Sequence, residues 1–403
     1  MNQPGRASLR RSRAGGAQRV TNIELFFDLV FVFAVTQLSH YLLSHLSLAG
    51  AVRAGLLLTM VWLLWAYTTW LTNWLDPGQI PVRLLLLALM LVSLGMSADL
   101  PEAFGDGGLI IGGGYAVIQV GRSAFAVWAL RGAALQRNFQ RILAWCCVSG
   151  GLALAGGLAG SGPREVLWLA AVAVDLLGSA AGFYTPGLGR SRTQEWDIEG
   201  GHFAERCQAF ILIALGESIV VTGATLAGLL SGPLAAPQAS AGPALGAFCV
   251  AFAGSAGLWW LYFDRSAEAG ARVIAGSADP GRLGRSAYHL IHPVMVGGII
   301  VAAAGDEVML SHPLGHVTAG AAWLLLGGPA LYIAGHAAFK AVVWRQVPWP
   351  RLAAIALLAL LGLLAPHVPA LVLGACAAAV VMAVAVTDYR TGDRARQAGP
   401  EHA

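Results

Sequence analysis

Twelve apolar runs follow one another along the sequence, at residues 23–45, 52–74, 82–98, 109–130, 140–160, 165–184, 207–230, 244–263, 286–304, 318–339, 351–366 and 368–387. A spanning helix takes ~20 mostly apolar residues, and in lipid each backbone N–H and C=O must find its partner within the structure itself. Runs of this length therefore predict an all-α polytopic membrane protein of about 12 transmembrane helices. Composition agrees, with 57% hydrophobic and 11% charged residues, where a soluble domain carries about 25% charged. The last two runs are separated by little more than Pro366-His367, so eleven is the alternative count. The five cysteines fall within apolar stretches, without zinc-ligand spacing, and read as small core residues. The amino-terminal arginines resemble the basic part of a signal peptide. The run that follows is too long, carries acids and lacks a small-residue cleavage site, so the first helix is expected to stay uncleaved.

Charge sets the orientation. Arg6, Arg10, Arg11, Arg13 and Arg19 precede the first run, and nearly all other loop arginines fall on the same side as this tail, including Arg83, Arg131, Arg190, Arg272 and Arg390. The opposite side holds Arg53 and Arg164 and the acids Asp99, Glu102, Asp106, Asp306 and Glu307, which are read as loop residues. Positive-inside insertion then places both termini in the cytoplasm. The expected division is a basic tail (1–20), a six-helix half (21–184), a cytoplasmic linker (185–206), a second six-helix half (207–388) and a tail (389–403). Two six-span halves share one orientation, the signature of a parallel repeat. Tyr115-x3-Gln119 in the fourth run echoes Tyr332-x3-His336 in the tenth, and Trp74-Leu-Asp76 echoes Tyr262-Phe-Asp264.

Ionisable residues inside the runs are the candidate site, because each costs ~2.5–3.5 kcal/mol at a helix centre. Glu24 and Asp28 share a face of the first run. Thr21-x2-Glu24 also reads as a capping box, whereas Asp28 lies a turn too deep to cap. The seventh run opens with His202-Phe-Ala-Glu205-Arg206 and reaches Glu217 eleven residues later, a rise of ~16 Å that puts Glu217 near mid-membrane. His289 and His292 are three apart before Pro293, and with His202 and Glu205 they offer an open metal alternative. Arg122 is the expected counter-ion for a membrane carboxylate. His336 lies in the tenth run, with Lys340 expected to snorkel. Gly156-x3-Gly160 is expected to allow close helix packing. No phosphate loop, nucleophile elbow or nucleic-acid module is present, which disfavours an ATP-driven pump, and no cofactor is assigned.

The segments from Glu24 to Ser39 (ELFFDLVFVFAVTQLS) and from His202 to Ser218 (HFAERCQAFILIALGES) resemble the two hallmark motifs of the bacterial low temperature requirement protein A family. The resemblance covers residues 18–390, and by it the motif residues are Glu24, Asp28, Gln37, His202, Glu205, Arg206 and Glu217. A fainter likeness, Phe26-x-Asp28-x-Val30-Phe31-x2-Ala34-x-Thr36, is similar to the first-helix motif of lysosomal and bacterial potassium channels built from six-span repeats. The serine that precedes the aspartate there is Phe27 here, and the seventh run does not repeat the motif.

These observations lead to an expected secondary transporter of the bacterial inner membrane, coupled to protons or another cation. Asp28 and Glu217 would bind the ion, Arg122 or Arg206 would supply the counter-charge, and His292 would act as a relay. The alternatives are a cation channel, a membrane-embedded metal-dependent enzyme acting on a lipophilic substrate, and a sensor or scaffold. The expected partners are the lipid bilayer and a small solute or cation, with no nucleic acid, and a homo-oligomer is left open.

Overall fold

The computed structural model describes residues 9–11, 20–191, 200–231, 238–264, 266–277 and 279–397. Among them there is no strand, only isolated bridges such as Arg10 with Leu75. The helices are α1 (Asn22–Ser44), α2 (Leu48–Thr72), α3 (Ile80–Ala98), α4 (Gly108–Ala129), α5 (Gln136–Leu158), α6 (Ser161–Ala180), α7 (Gly200–Ser231), α8 (Gln238–Phe263), the short α9 (Ser266–Ala275) and α10 (Pro280–Gly284), α11 (His292–Ser311), α12 (Ala319–Trp344), α13 (Trp349–Leu361) and α14 (Ala370–Gln397). Eleven of the described segments are long and apolar enough to cross a membrane. The twelfth long helix, α6, matches them in length and carries Arg164, Glu165 and Asp175.

The ends of the helices follow from local chemistry. Pro81 sits in the first turn of α3, where its missing N–H costs nothing. The Thr318 hydroxyl caps α12 by accepting from the Ala321 N–H at 3.2 Å, and Arg345 ends that helix in the left-handed region at φ +55°. Prolines 366 and 369 keep α13 and α14 apart across a short 3-10 stretch, Gly362–His367. A π-helical segment, Arg285–Ile291, leads into α11, with Pro293 in the first turn of that helix.

Two expectations about boundaries are corrected. Asp306 and Glu307 lie inside α11 and not in an outer loop, because two acids near a helix end lower local hydropathy without breaking the helix. Residues 200–206, expected in a linker, are the first turns of α7.

The chain divides into two compact units. The first comprises 1–41, 48–209 and 277–284, and the second comprises 42–47, 210–276 and 285–403. In the first, α2 packs on α4 and α6, α3 on α4, α4 on α5 and α5 on α6; in the second, α8 packs on α12 and α14, α11 on α12, α12 on α13 and α13 on α14. Counting spans from the start of each half, these pairs correspond, while α8 with α11, α11 with α14 and α12 with α14 are further pairs of the second unit. Glycine permits the closest approaches. A Cβ on Gly328 of α12 would lie 2.4 Å from the Ala302 nitrogen of α11, and one on Gly298 would lie 2.5 Å from the Tyr332 nitrogen. Of the glycine pair expected to pack, Gly156 meets Trp168 of α6 and Gly160 faces open space.

Candidate functional site

The first unit gathers the charged residues of α1 and α7 into one buried network. At the start of α1 the Thr21 N–H and hydroxyl both donate to Glu24 Oε2, at 2.9 and 2.8 Å, so the capping box forms. That uses one carboxylate oxygen. The other, Oε1, lies 2.8 Å from His202 Nε2, 3.3 Å from Arg11 Nη1 and 3.4 Å from Arg206 Nη1. Glu24 is thus both a cap and an ion-pair partner.

One turn deeper, Asp28 takes the Arg206 guanidinium as a fork: Nε donates to Oδ2 at 2.8 Å and Nη2 to Oδ1 at 2.5 Å. The indole N–H of Trp65, from α2, donates to Oδ1 at 2.6 Å. The rings of Phe27 and Trp65 lie 5.9 and 6.0 Å from the guanidinium carbon, in cation–π range. Glu24 and Asp28 are 0% exposed, and His202 and Arg206 1%. Burial this complete is tolerated because each carboxylate meets a cation with matched geometry, the condition under which ionised groups survive away from water.

His202 sits between opposite demands. Its Nε2 lies 2.8 Å from a carboxylate oxygen, to which it must donate, and 3.1 Å from Arg11 Nη1, from which it must accept. One nitrogen cannot do both, so the ring has two hydrogen-bond settings. Its Nδ1 is buried without a hydrogen-bond partner among the described residues. Arg11 is anchored apart from this by the Thr72 carbonyl at 2.9 Å and by its own N–H on the Trp74 carbonyl, also at 2.9 Å.

A second polar cluster lies within the same unit. Asp175 of α6 accepts from the Tyr115 hydroxyl at 2.5 Å and from the Gln119 amide at 2.6 Å. Arg122, the expected counter-ion, does not ion-pair directly. It donates to the Gln119 side-chain oxygen and to the Leu64 carbonyl at 3.4 Å, and lies 5.0 Å from the centre of the Tyr67 ring. Its charge reaches Asp175 through the Gln119 amide. Sequence reasoning passed over Asp175, although an acid in the middle of the sixth run carries the same signal that exposed Asp28.

In the second unit the Tyr262 hydroxyl contacts His292 Nε2 at 2.7 Å, and His292 Nδ1 contacts the Ala287 carbonyl at 2.9 Å. The carbonyl only accepts, so the ring carries its proton on Nδ1 and Nε2 accepts from the tyrosine. His336 contacts Ser266 at 2.9 Å and Arg351 at 3.4 Å. Asp388 pairs with the Arg351 guanidinium, and Lys340 reaches the same carboxylate at 3.3 Å instead of snorkelling. Arg351 and Asp388 were not anticipated as partners.

The other anticipated residues take varied positions. Glu205 is exposed on α7 and accepts only a long bond, 3.4 Å, from the Val20 N–H. Glu217 is half-buried in the part of α7 that belongs to the second unit, while the hydrogen bonds of Asp28 go to Arg206 and Trp65. His289 is buried on the π-helical segment. Among the described residues no three His, Cys, Asp or Glu side chains converge in a metal-ligating arrangement.

Comparison with known proteins gives two matches. A family model described as "Bacterial low temperature requirement A protein" matches residues 19–386, including both segments that form the α1–α7 network. An uncharacterized protein of Rhizobium meliloti (strain 1021) is 36% identical over 369 residues, covering 91% of this chain and 88% of that protein. No solved structure matches the chain.

Proposed function

The chain belongs to the bacterial low temperature requirement A family, and on that premise we propose that it is a secondary transporter of the bacterial inner membrane, moving a small solute or cation in exchange for protons or another cation. The observation that carries this reading is the α1–α7 charge network. Its acids come from one helix, its cations mainly from another, and all four central groups are fully buried. A buried ion pair is a poor device for stability, since well-packed apolar side chains of the same volume do as well or better. Its use is in a contact that must be specific and must be able to open. With the amino terminus in the cytoplasm, the network sits at the inner end of α1, where a gate closing an inward path belongs.

His202 supplies a means of opening. Its Nε2 can bond to Glu24 or to Arg11 but not to both at once, so the choice of tautomer changes which partner the Glu24 carboxylate keeps. The correspondence of helix pairs between the two units supports a six-plus-six duplication, an architecture in which one half moves against the other around a central site.

The test is flux in proteoliposomes. Purified protein with an imposed proton or sodium gradient should move a substrate from a broad panel, and Asp28→Asn and Arg206→Gln should abolish gradient dependence. Flux that persists undiminished in both variants, or no gradient-dependent flux for any solute, overturns the reading.

A further inference from the structure

Beyond the charge networks, one carboxylate in the second unit has no partner among the described residues. Asp306 of α11 makes no hydrogen bond or ion pair with any described residue. Half-buried, it lines a partly open cavity of about 30 Å³ between α8, α11, α12 and α14, whose other walls are chiefly glycine, alanine, valine and leucine. No protein cation enters that wall. An ionised carboxylate in such surroundings needs a counter-ion, and without one it takes a proton, because an isolated charge among apolar groups costs several kcal/mol or more.

Two further oxygen-bearing groups belong to residues that line the same cavity. Pro329 lies inside α12 and has no N–H, so the carbonyl four residues back, that of Leu325, loses its helical donor. Leu325 and Pro329 both line the cavity. Ser255 of α8 lines it as well, with its hydroxyl in a long contact, 3.3 Å, with the Ser218 hydroxyl. A carboxylate, a donorless carbonyl and a hydroxyl are hard oxygen ligands, the set that suits non-transition cations.

Size and charge narrow the occupant. The cavity exceeds the ~10–15 Å³ needed for one water and falls far short of an organic cation. One carboxylate balances one positive charge, whereas a divalent ion would leave a net charge against an apolar wall. We propose that this cavity binds a single sodium ion, held by Asp306 with the Leu325 carbonyl and the Ser255 hydroxyl. Asp306 lies five residues before the end of α11 at Ser311, a rise of ~7.5 Å. With the termini in the cytoplasm, the positive-inside orientation puts this end of α11 in the outer half of the membrane.

The site deepens the transporter reading by naming a coupling ion, and only its role in coupling rests on that reading. Its test therefore measures binding in the absence of any gradient. Full-length protein in detergent is titrated with radiosodium, and its thermal midpoint is compared in sodium, potassium and choline chloride at equal ionic strength. Saturable binding near one ion per chain is expected, together with stabilisation by sodium over choline. Asp306→Asn should lose both. Pro329→Ala, which returns a donor to the Leu325 carbonyl, should weaken binding by about tenfold, the equivalent of one lost hydrogen-bond-scale contact. Absence of saturable sodium binding, as for a carboxylate that takes only a proton, overturns the proposal, and so does unchanged binding in Asp306→Asn. If that variant fails to purify as a folded species, Pro329→Ala and Ser255→Ala decide, and unchanged affinity in both overturns it.

Discussion

Asp28 receives two N–H groups from Arg206 and one from Trp65, all within 2.8 Å, and the consequences of breaking this contact are asymmetric. Asp28→Asn leaves the guanidinium buried against a neutral amide, a loss of about 3–5 kcal/mol, read as a lower unfolding midpoint in detergent. Removing both charges, as Asp28→Asn with Arg206→Gln, should cost less than the sum of the single changes, because neither variant charge is then stranded. Strictly additive losses would mean that the pair is not coupled. Arg206→Lys keeps the charge and forfeits the fork, so it should fall between wild type and Arg206→Gln. Asp28 was legible in the sequence because an acid within an apolar run must be explained. Its partners were less so. Helical spacing shows which residues share a face, but not which face another helix presents, and depth alone therefore favoured Glu217 over Arg206. Asp388 and Arg351 were missed for the same reason, since both sit where charge at a helix end looks ordinary.

At the scale of the helices, the α11–α12 pair rests on contacts without side chains. Gly328→Ala would drive a methyl to 2.4 Å from a backbone nitrogen, and with no flexible group to yield it should destabilise by about 1–3 kcal/mol. Gly55→Ala in α2, whose added Cβ meets nothing within 4 Å, should be neutral or stabilising by up to ~1 kcal/mol, since alanine is the better helix former. Thermal midpoints of the two variants compare the effects directly. Equal shifts would mean that the glycines of α11 and α12 are not needed for close approach. The helices themselves were readable because length and apolarity decide them without periodicity. The π-helical segment before His292 was not, since nothing in Arg285–Ile291 distinguishes a widened turn from an α-turn. Asp306 was misplaced because polarity near a helix end imitates a loop.

For the molecule as a whole, the arginine distribution gives an orientation that topology reporters can check. A reporter active only outside the cytoplasm should be active when fused after Gly160 and inactive after Gly132 or Val347, and the reverse pattern would invert both the gate and the sodium site. Five helix pairs correspond between the two units, the kind of regularity that short echoes such as Tyr115-x3-Gln119 suggest but cannot establish, because a few common residues recur by chance. The α1–α7 lock also sets a schedule for biosynthesis. Asp28 and Arg206 are 178 residues apart, so at ~5–20 residues per second the ribosome needs roughly ten to forty seconds to deliver the arginine after the aspartate has emerged. Throughout that interval α1 carries two acids whose principal counter-charge has not been made. α1, made early, is thus among the last helices to be secured.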